Sequence, residues 1–174
     1  MEQRARHPPP TDCAKMPGSR CCSILLISLV GAASGFKPTT IATKPSPTLA
    51  PLQVVQSQLT ALQAGDVQTC FAFASPTIKR ATGPVESFER MLRQTPSYSP
   101  LVGCSWFVIV SGLTLSDEHW RCRVLVRPAR LWPFEPCRPA VMYEWMLTKE
   151  IEPGPNTGCW MVDGVLPEVS GNDA

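Results

Sequence analysis

The sequence has few of the residues and none of the common motifs that carry enzyme chemistry. It contains two histidines, and it lacks HExxH, HxxxH, GxGxxG, GxSxG and a phosphate-binding loop, with no CxxC after residue 35. These absences argue against a structural zinc site, a nucleotide-binding loop and the nucleophile elbow of serine hydrolases. We therefore expect no metal and no cofactor.

Long apolar runs and a strong charge of one sign are also missing. No apolar stretch reaches the ~18–20 residues that a membrane-spanning helix needs, so a multi-span membrane protein is excluded. Residues 1–50 hold six of the 16 basic residues and two of the 14 acidic ones, which leaves ten bases and twelve acids in residues 51–174. A net acidic domain is not expected to bind nucleic acid.

Acidic residues are absent from residue 13 to residue 65, and this part of the chain has the composition of a targeting leader. Residues 21–31 form an apolar core of the ~7–15 residues that a signal peptide uses, preceded by basic residues. Small side chains at residues 33–35 then provide a cleavage site. We interpret residues 1–35 as a signal-peptide-like leader that is lost, leaving no stable membrane span.

Residues 36–51 are rich in threonine and proline, contain two lysines and have no acid, as a transit peptide does. A signal peptide followed by such a segment, with Phe36 after the cleavage site, resembles the bipartite plastid leader of algae with complex plastids. Gly35 stands where that leader usually has alanine. The resemblance implies a plastid (chloroplast) location; secretion or a luminal compartment, and a retained membrane anchor, are alternatives. Met1 and Met16 are both possible starts.

Five cysteines follow the leader, an odd number at irregular spacings. This pattern is not a disulfide framework and suits a reducing compartment. We expect Cys70, Cys104 and Cys159 to pack in the core as small hydrophobes.

Residues 52–167 have the length of one domain with its own core, followed by a polar tail at 168–174. Apolar periodicity predicts three helices in its first half. One carries Leu52, Val55, Leu59 and Leu62 on a single face, one covers residues 66–74 and ends at Ser75-Pro76, and one starts near Pro84 with Val85, Phe88, Met91 and Leu92 as its stripe.

Alternating and β-rich segments predict four strands in the second half. They cover residues 101–115, 119–127, 141–149 and 158–166. Helices followed by an antiparallel meander indicate an α+β fold in which N-terminal helices pack on one face of the sheet.

An ordered set of segments resembles an uncharacterised family known as a domain of unknown function, number 4864. The segments are residues 54–62, Gly65-Asp66, residues 71–78, residues 84–92, residues 143–147 and residues 160–165. That family is similar to the nuclear-transport-factor-2-like superfamily, a cystatin-like α+β cone of helices on a curved antiparallel sheet. The resemblance implies this fold over residues 52–167, and it brings no activity and no catalytic residues.

One segment departs from the family, which has a short hairpin between its second and third strands. Residues 128–139 here form an insertion with four prolines, and so cannot be a ladder strand. Its aromatic residues Trp132 and Phe134 are the predicted anchors for a protein partner.

Few side chains are candidates for chemistry. Asp163, next to Gly164, suits a β-bulge that aims a carboxylate into a cavity, and His119 is the one histidine outside the leader. A strand-edge carboxylate and a solvated turn residue are the plainer interpretations. An apolar cavity would be lined by Trp106, Tyr143, Trp145 and Trp160, although Tyr143 also fits simple core packing.

These observations leave three functions open. The favoured one is a non-catalytic protein-interaction or accessory module with an unknown protein partner. The alternatives are a binder of a small apolar molecule in the cavity, and a cavity enzyme of isomerase or hydrolyase type, so whether the protein is an enzyme stays undecided. A homodimer is compatible with all three.

Overall fold

Four helices begin where the sequence supplies a capping side chain or a proline. The computed structural model describes residues 41–130 and 138–168. The helices are α1 Pro51–Gln63, α2 Val67–Ala72, α3 Pro76–Thr82 and α4 Val85–Gln94, followed by a single 3₁₀ turn at Ser99–Leu101. Within these two ranges, no helix has the length and hydrophobicity required to cross a membrane.

The capping residue predicted at Asp66 is confirmed, but the predicted stop at Ser75-Pro76 is also a helix start. The Asp66 carboxylate accepts a hydrogen bond from the Thr69 N–H at 2.9 Å. Ser75 Oγ accepts one from the Ile78 N–H at 3.2 Å, and Pro76 occupies the first turn of α3. Proline ends one helix because it lacks an N–H, and for the same reason it suits the first turn of the next.

The buried face of α1 is shifted from the predicted stripe. Val55 and Leu59 are fully buried as expected, whereas Leu52 is 43% exposed. The buried arc extends instead to Val54 and Gln58, which the apolar pattern alone did not include. Leu52 therefore lies on the rim of the helix face and is available to a neighbouring surface.

The sheet confirms the α+β class. Its strands pair antiparallel in the order in which they occur. They are β1 Trp106–Thr114, β2 His119–Arg127, β3 Val141–Lys149 and β4 Trp160–Pro167. The helices cover one face, since α1 and α2 share a single hydrophobic core with the inward side chains of β2 and β3.

Each edge strand contains one bulge. Val110 of β1 and Asp163 of β4 are skipped in the register, because their strand neighbours pair consecutively with the adjacent strand. A bulge bends a strand and increases its twist. The two bulges thus curve the sheet at both edges, and the one in β4 falls at Asp163, where the sequence allows either a bulge or a plain strand-edge carboxylate.

The two faces of β2 and β3 differ sharply, as the alternation predicts. Val124 and Tyr143 on the inner face are fully buried. On the outer face, Arg121 forms an ion pair with Glu144 at 3.2 Å, and Arg123 forms one with Glu168 at 2.8 Å. The outer face at the centre of the sheet is therefore a solvated, charge-paired surface.

Two strand glycines allow a matched test of packing. A Cβ at Gly112 would lie 2.7 Å from Cζ2 of the rigid Trp120 indole, and a Cβ at Gly164 would lie 2.5 Å from the mobile Cε of Met146. We expect Gly112→Ala to lower the free energy of unfolding by about 1–3 kcal/mol, and Gly164→Ala by less than about 1 kcal/mol. Urea denaturation of both variants measures the difference. Equal losses would contradict the view that Trp120 cannot move away from an added Cβ whereas Met146 can.

Candidate functional site

Tyr143 and Trp145 belong to the core and present no surface to a ligand. Both are fully buried, and their rings meet edge to face at 6.0 Å. Trp145 Nε1 donates to Gln58 Oε1 at 2.7 Å, and the Tyr143 hydroxyl donates to the Ser97 carbonyl at 2.8 Å. Burial raises the pKa of Tyr143 to about 12. The polar atoms of both side chains are thus satisfied within the domain.

Trp106 and Trp160 lie at different places on the sheet. Trp106 starts β1 opposite Arg127, whose guanidinium carbon lies 5.1 Å from the centre of the Trp106 ring. Trp160 starts β4 at the other edge of the sheet, opposite Lys149. The structure therefore does not bring together the four aromatic residues that were predicted to line one apolar cavity.

The two candidate catalytic residues do not share a site either. His119 is exposed beside the turn between β1 and β2, with its Nδ1 3.1 Å from Ser116 Oγ. Asp163 is exposed on β4, where its Oδ1 accepts a hydrogen bond from Ser75 Oγ at 2.8 Å. Asp163 lines a cleft that His119 does not line. The structure thus offers no acid–base pair made of these two residues.

The cleft at Asp163 lies between α3 and the segment that connects β3 to β4, and its volume is about 230 Å³. Its polar lining comes from both sides: Ser75, Thr77, Arg80, Thr148, Lys149, Glu150, Glu152 and Asp163. A more apolar pocket of about 430 Å³ adjoins it and shares Pro76, Arg80, Glu150 and Glu152. Sequence reasoning missed the cleft because its residues come from three separate segments.

A longer groove follows β1 at the opposite edge of the sheet. Its volume is about 710 Å³, and it is lined by Leu52 and Gln56 of α1, by residues 107–112 of β1 and by Trp120. Val108, Val110 and Leu113 are each more than half exposed, and Leu115 just beyond β1 is also exposed. No charged residue and no histidine or proline occurs from residue 104 to residue 116. This edge is therefore both uncharged and apolar.

The two edge strands of the sheet, β4 and β1, differ in their backbone pairing. At β4, Val162 forms a parallel bridge with Ala74, and its backbone bonds to Phe73 and Ser75 at 2.8 Å each. Across residues 41–130 and 138–168, no comparable backbone segment pairs with the outer side of β1. In the described part of the chain, the outward amides and carbonyls of β1 are therefore not engaged by a neighbouring strand.

The predicted partner anchors Trp132 and Phe134 lie outside the described residues. The same is true of the leader up to residue 40 and of the tail from residue 169. In the part of the chain that the structure covers, no group of three or more histidine, cysteine or acidic side chains is arranged to hold a metal ion.

The described cysteines are free and buried, and they are Cys70, Cys104, Cys122 and Cys159. Burial raises the pKa of Cys70 and of Cys122 to about 12. A thiol acts as a nucleophile through its thiolate, so these groups are chemically inert near neutral pH.

Comparison with known proteins finds one family model that matches part of the chain. Residues 48–102 match the family described as Domain of unknown function (DUF4864), which confirms the resemblance over α1 to α4 and the 3₁₀ turn. No curated protein matches the chain. A solution structure of a SEC-C motif containing protein from Rhodopseudomonas palustris is similar with a TM-score of 0.47 and 10% identity, covering 67% of this chain and 77% of that one. That score is too low to assign a shared fold.

Proposed function

We propose that this domain is a non-catalytic interaction module that binds an extended, uncharged segment of a partner polypeptide along the β1 edge. The observation that carries the proposal is the outer edge of β1, which pairs with no other strand of residues 41–130 and 138–168 and lies beside an apolar groove. An extended peptide that adds to such an edge gains main-chain hydrogen bonds, and its alternate side chains enter the groove. The domain then serves as an accessory factor for that partner.

The absence of charge on β1 indicates the chemistry of the partner segment. Free edge strands are usually protected by charged side chains, especially lysine, or by proline, and β1 has neither. Of the edge protections that the described residues show, β1 carries a bulge at Val110. A charged residue docked in this groove would lose water without gaining an opposite charge, so an uncharged segment fits best.

The distribution of exposed apolar residues favours a single strand over a globular partner. Of the eight large apolar residues that are exposed within residues 41–130 and 138–168, five lie on β1, directly after it or on the α1 rim: Leu52, Val108, Val110, Leu113 and Leu115. Beyond β1, the outer face carries the ion pairs of Arg121 and Arg123. A standard interface needs about 800 Å² on each partner, which a narrow strip along one strand does not supply by itself.

The proposal also includes a fold superfamily and a cellular location. Helices over one face of a sheet bent by two bulges, together with the family match at residues 48–102, support a nuclear-transport-factor-2-like cone. The composition of residues 1–51 supports delivery to the plastid. In that setting the partner is another plastid protein.

Site-specific photo-crosslinking in the native cell tests the partner. The full chain is produced with benzoylphenylalanine at Val110, or at Leu166 as the matched control, and crosslinked peptides are mapped by mass spectrometry. We expect Val110 to crosslink to an uncharged segment of another polypeptide and Leu166 to give no such adduct. Leu166 is a suitable control because it is also about half exposed but lies on β4.

Introducing a lysine at the edge of β1 provides a second test of the proposal. Val110→Lys should weaken binding of a synthetic peptide with the mapped sequence at least tenfold, since a lysine would be desolvated without a partner, and Leu166→Lys should not. Adducts to a second copy of this chain would replace the proposal with a homodimer. Adducts to a charged segment, or equal effects of both lysines, would also overturn it.

A further inference from the structure

The cleft at Asp163 is lined by charges of both signs. Arg80 projects from α3, and Glu150 and Glu152 come from the segment after β3. Lys149 and Asp163 complete the charged lining at the ends of β3 and in β4. Two bases and three acids thus line a space of about 230 Å³, the scale of a ligand smaller than a typical drug.

These charges are not neutralised by each other. The ion pairs within residues 41–130 and 138–168 join Arg93 to Glu89, Arg121 to Glu144 and Arg123 to Glu168, all away from the cleft. Charged side chains that form no ion pair with each other can each bind a ligand group of opposite charge. A molecule with both an ammonium and a carboxylate group can therefore contact an acid and a base of the cleft at the same time. Such a ligand forms two charge-assisted contacts without changing the net charge of the site.

Asp163 is held in place by the fold. Its bulge position turns it out of the strand register, and buried Ser75 donates a hydrogen bond to its Oδ1 at 2.8 Å. Ser75 Oγ also accepts from the Ile78 N–H, so its orientation is fixed from both sides. Asp163 lines the cleft, and among the described residues its Oδ2 has no hydrogen-bond donor, so it can accept one from an ammonium group.

The adjoining pocket defines the rest of the ligand. It is lined largely by apolar surface, to which Pro76 of α3 and Pro153 and Pro155 of the segment after β3 belong. It adjoins the charged cleft, since Arg80 and Glu152 line both. We propose that the two adjoining pockets together bind a small zwitterion with an apolar substituent, that is, an α-amino acid with an apolar side chain.

The proposal is independent of the partner strand, because β4 and β1 are the opposite edges of the sheet. Titration of the ¹⁵N-labelled full chain with L-phenylalanine tests it, with N-acetylphenylalanine and phenylalaninamide as probes that each lack one charge. We expect saturable shifts of the amides of Arg80, Glu150 and Asp163 with L-phenylalanine. Each single-charge probe, and glycine, should bind at least tenfold more weakly.

Variants inside and outside the cleft distinguish binding in the cleft from a general effect of charge. Asp163→Asn and Arg80→Met should each weaken L-phenylalanine binding at least tenfold, and Arg93→Met on α4 and Val110→Lys on β1 should leave it unchanged. The far-ultraviolet circular dichroism of each variant shows that it is folded. Absence of saturation at 10 mM, equal binding of the three phenylalanine probes, or an equal loss in Arg93→Met would overturn the proposal.

Discussion

Trp145→Ala is expected to lower the free energy of unfolding by about 3–5 kcal/mol, the range for removing a buried tryptophan. Trp145 is fully buried on β3 and contacts Tyr143 edge to face. The truncation leaves a cavity in the core, and it also leaves Gln58 Oε1 buried without its donor. Since domains of this size have about 5–15 kcal/mol in total, this single change should leave the protein barely folded.

Two further variants distinguish the stability lost through the cavity from the stability lost with the hydrogen bond. Trp145→Phe keeps most of the ring volume but removes the donor to Gln58, so we expect a loss of about 1–3 kcal/mol. Trp106→Ala is the control for tryptophan removal, because that side chain is only half-buried on β1. Urea denaturation of the full chain measures all three. A cost for Trp106→Ala as large as that for Trp145→Ala would contradict the assignment of the core.

The second large effect is a loss of stability at alkaline pH. Burial is the main cause that raises the pKa of Cys70 and Cys122 from 9.0 to about 12, and that of Tyr143 from 10.0 to about 12. The unfolded chain therefore releases these protons first, between about pH 9 and pH 12, while the folded chain keeps them. Because the unfolded state then binds fewer protons, the free energy of unfolding falls as the pH rises.

The size of this effect follows from linkage. Each group contributes a slope of up to about 1.4 kcal/mol per pH unit between its two pKa values, so the three together remove several kcal/mol by pH 12. The stabilising contribution is fully present below pH 9. We expect cooperative unfolding between pH 10 and pH 12, which circular dichroism and urea titrations at a series of pH values can follow.

Removing one titrating group tests the cause. Tyr143→Phe should lower stability at neutral pH, since the Ser97 carbonyl loses its donor, but should flatten the slope between pH 10 and pH 12. Cys70→Ala should flatten the slope from pH 9 upward in the same way. An unchanged slope in both variants would show that other groups cause the alkaline transition.

The strands were predictable because their periodicity is strong and local. In β2 and β3 the alternation of apolar and polar residues reports directly which side chains face the helices, and Val124, Tyr143 and Trp145 are buried as expected. The sequence does not predict α3, because a proline after an apolar helical segment indicates a helix end. A proline after a serine is equally the start of a helix, and only the Ile78 N–H bonded to Ser75 distinguishes the two.

The candidate site was less predictable from sequence. The glycine beside Asp163 allows a bulge there, but the sequence favours a plain strand-edge carboxylate, and the hydrogen bond from Ser75 joins residues 88 positions apart. The uncharged β1 was visible in the sequence from residue 104 to residue 116. That it forms an edge was not, because edge position depends on which strand pairs with which.

The sequence by itself determined the α+β class, the number of strands and the inward side of β2 and β3, because propensity and periodicity act over a few residues. The tertiary structure alone decided which edge stays open, since residues 73–75 of the chain cover β4 and not β1 among the described residues. It also brought the Trp145 indole to Gln58 of α1 and the charges of Arg80 and Asp163 into one cleft. These outcomes depend on contacts between distant segments, whose pairing no local pattern specifies.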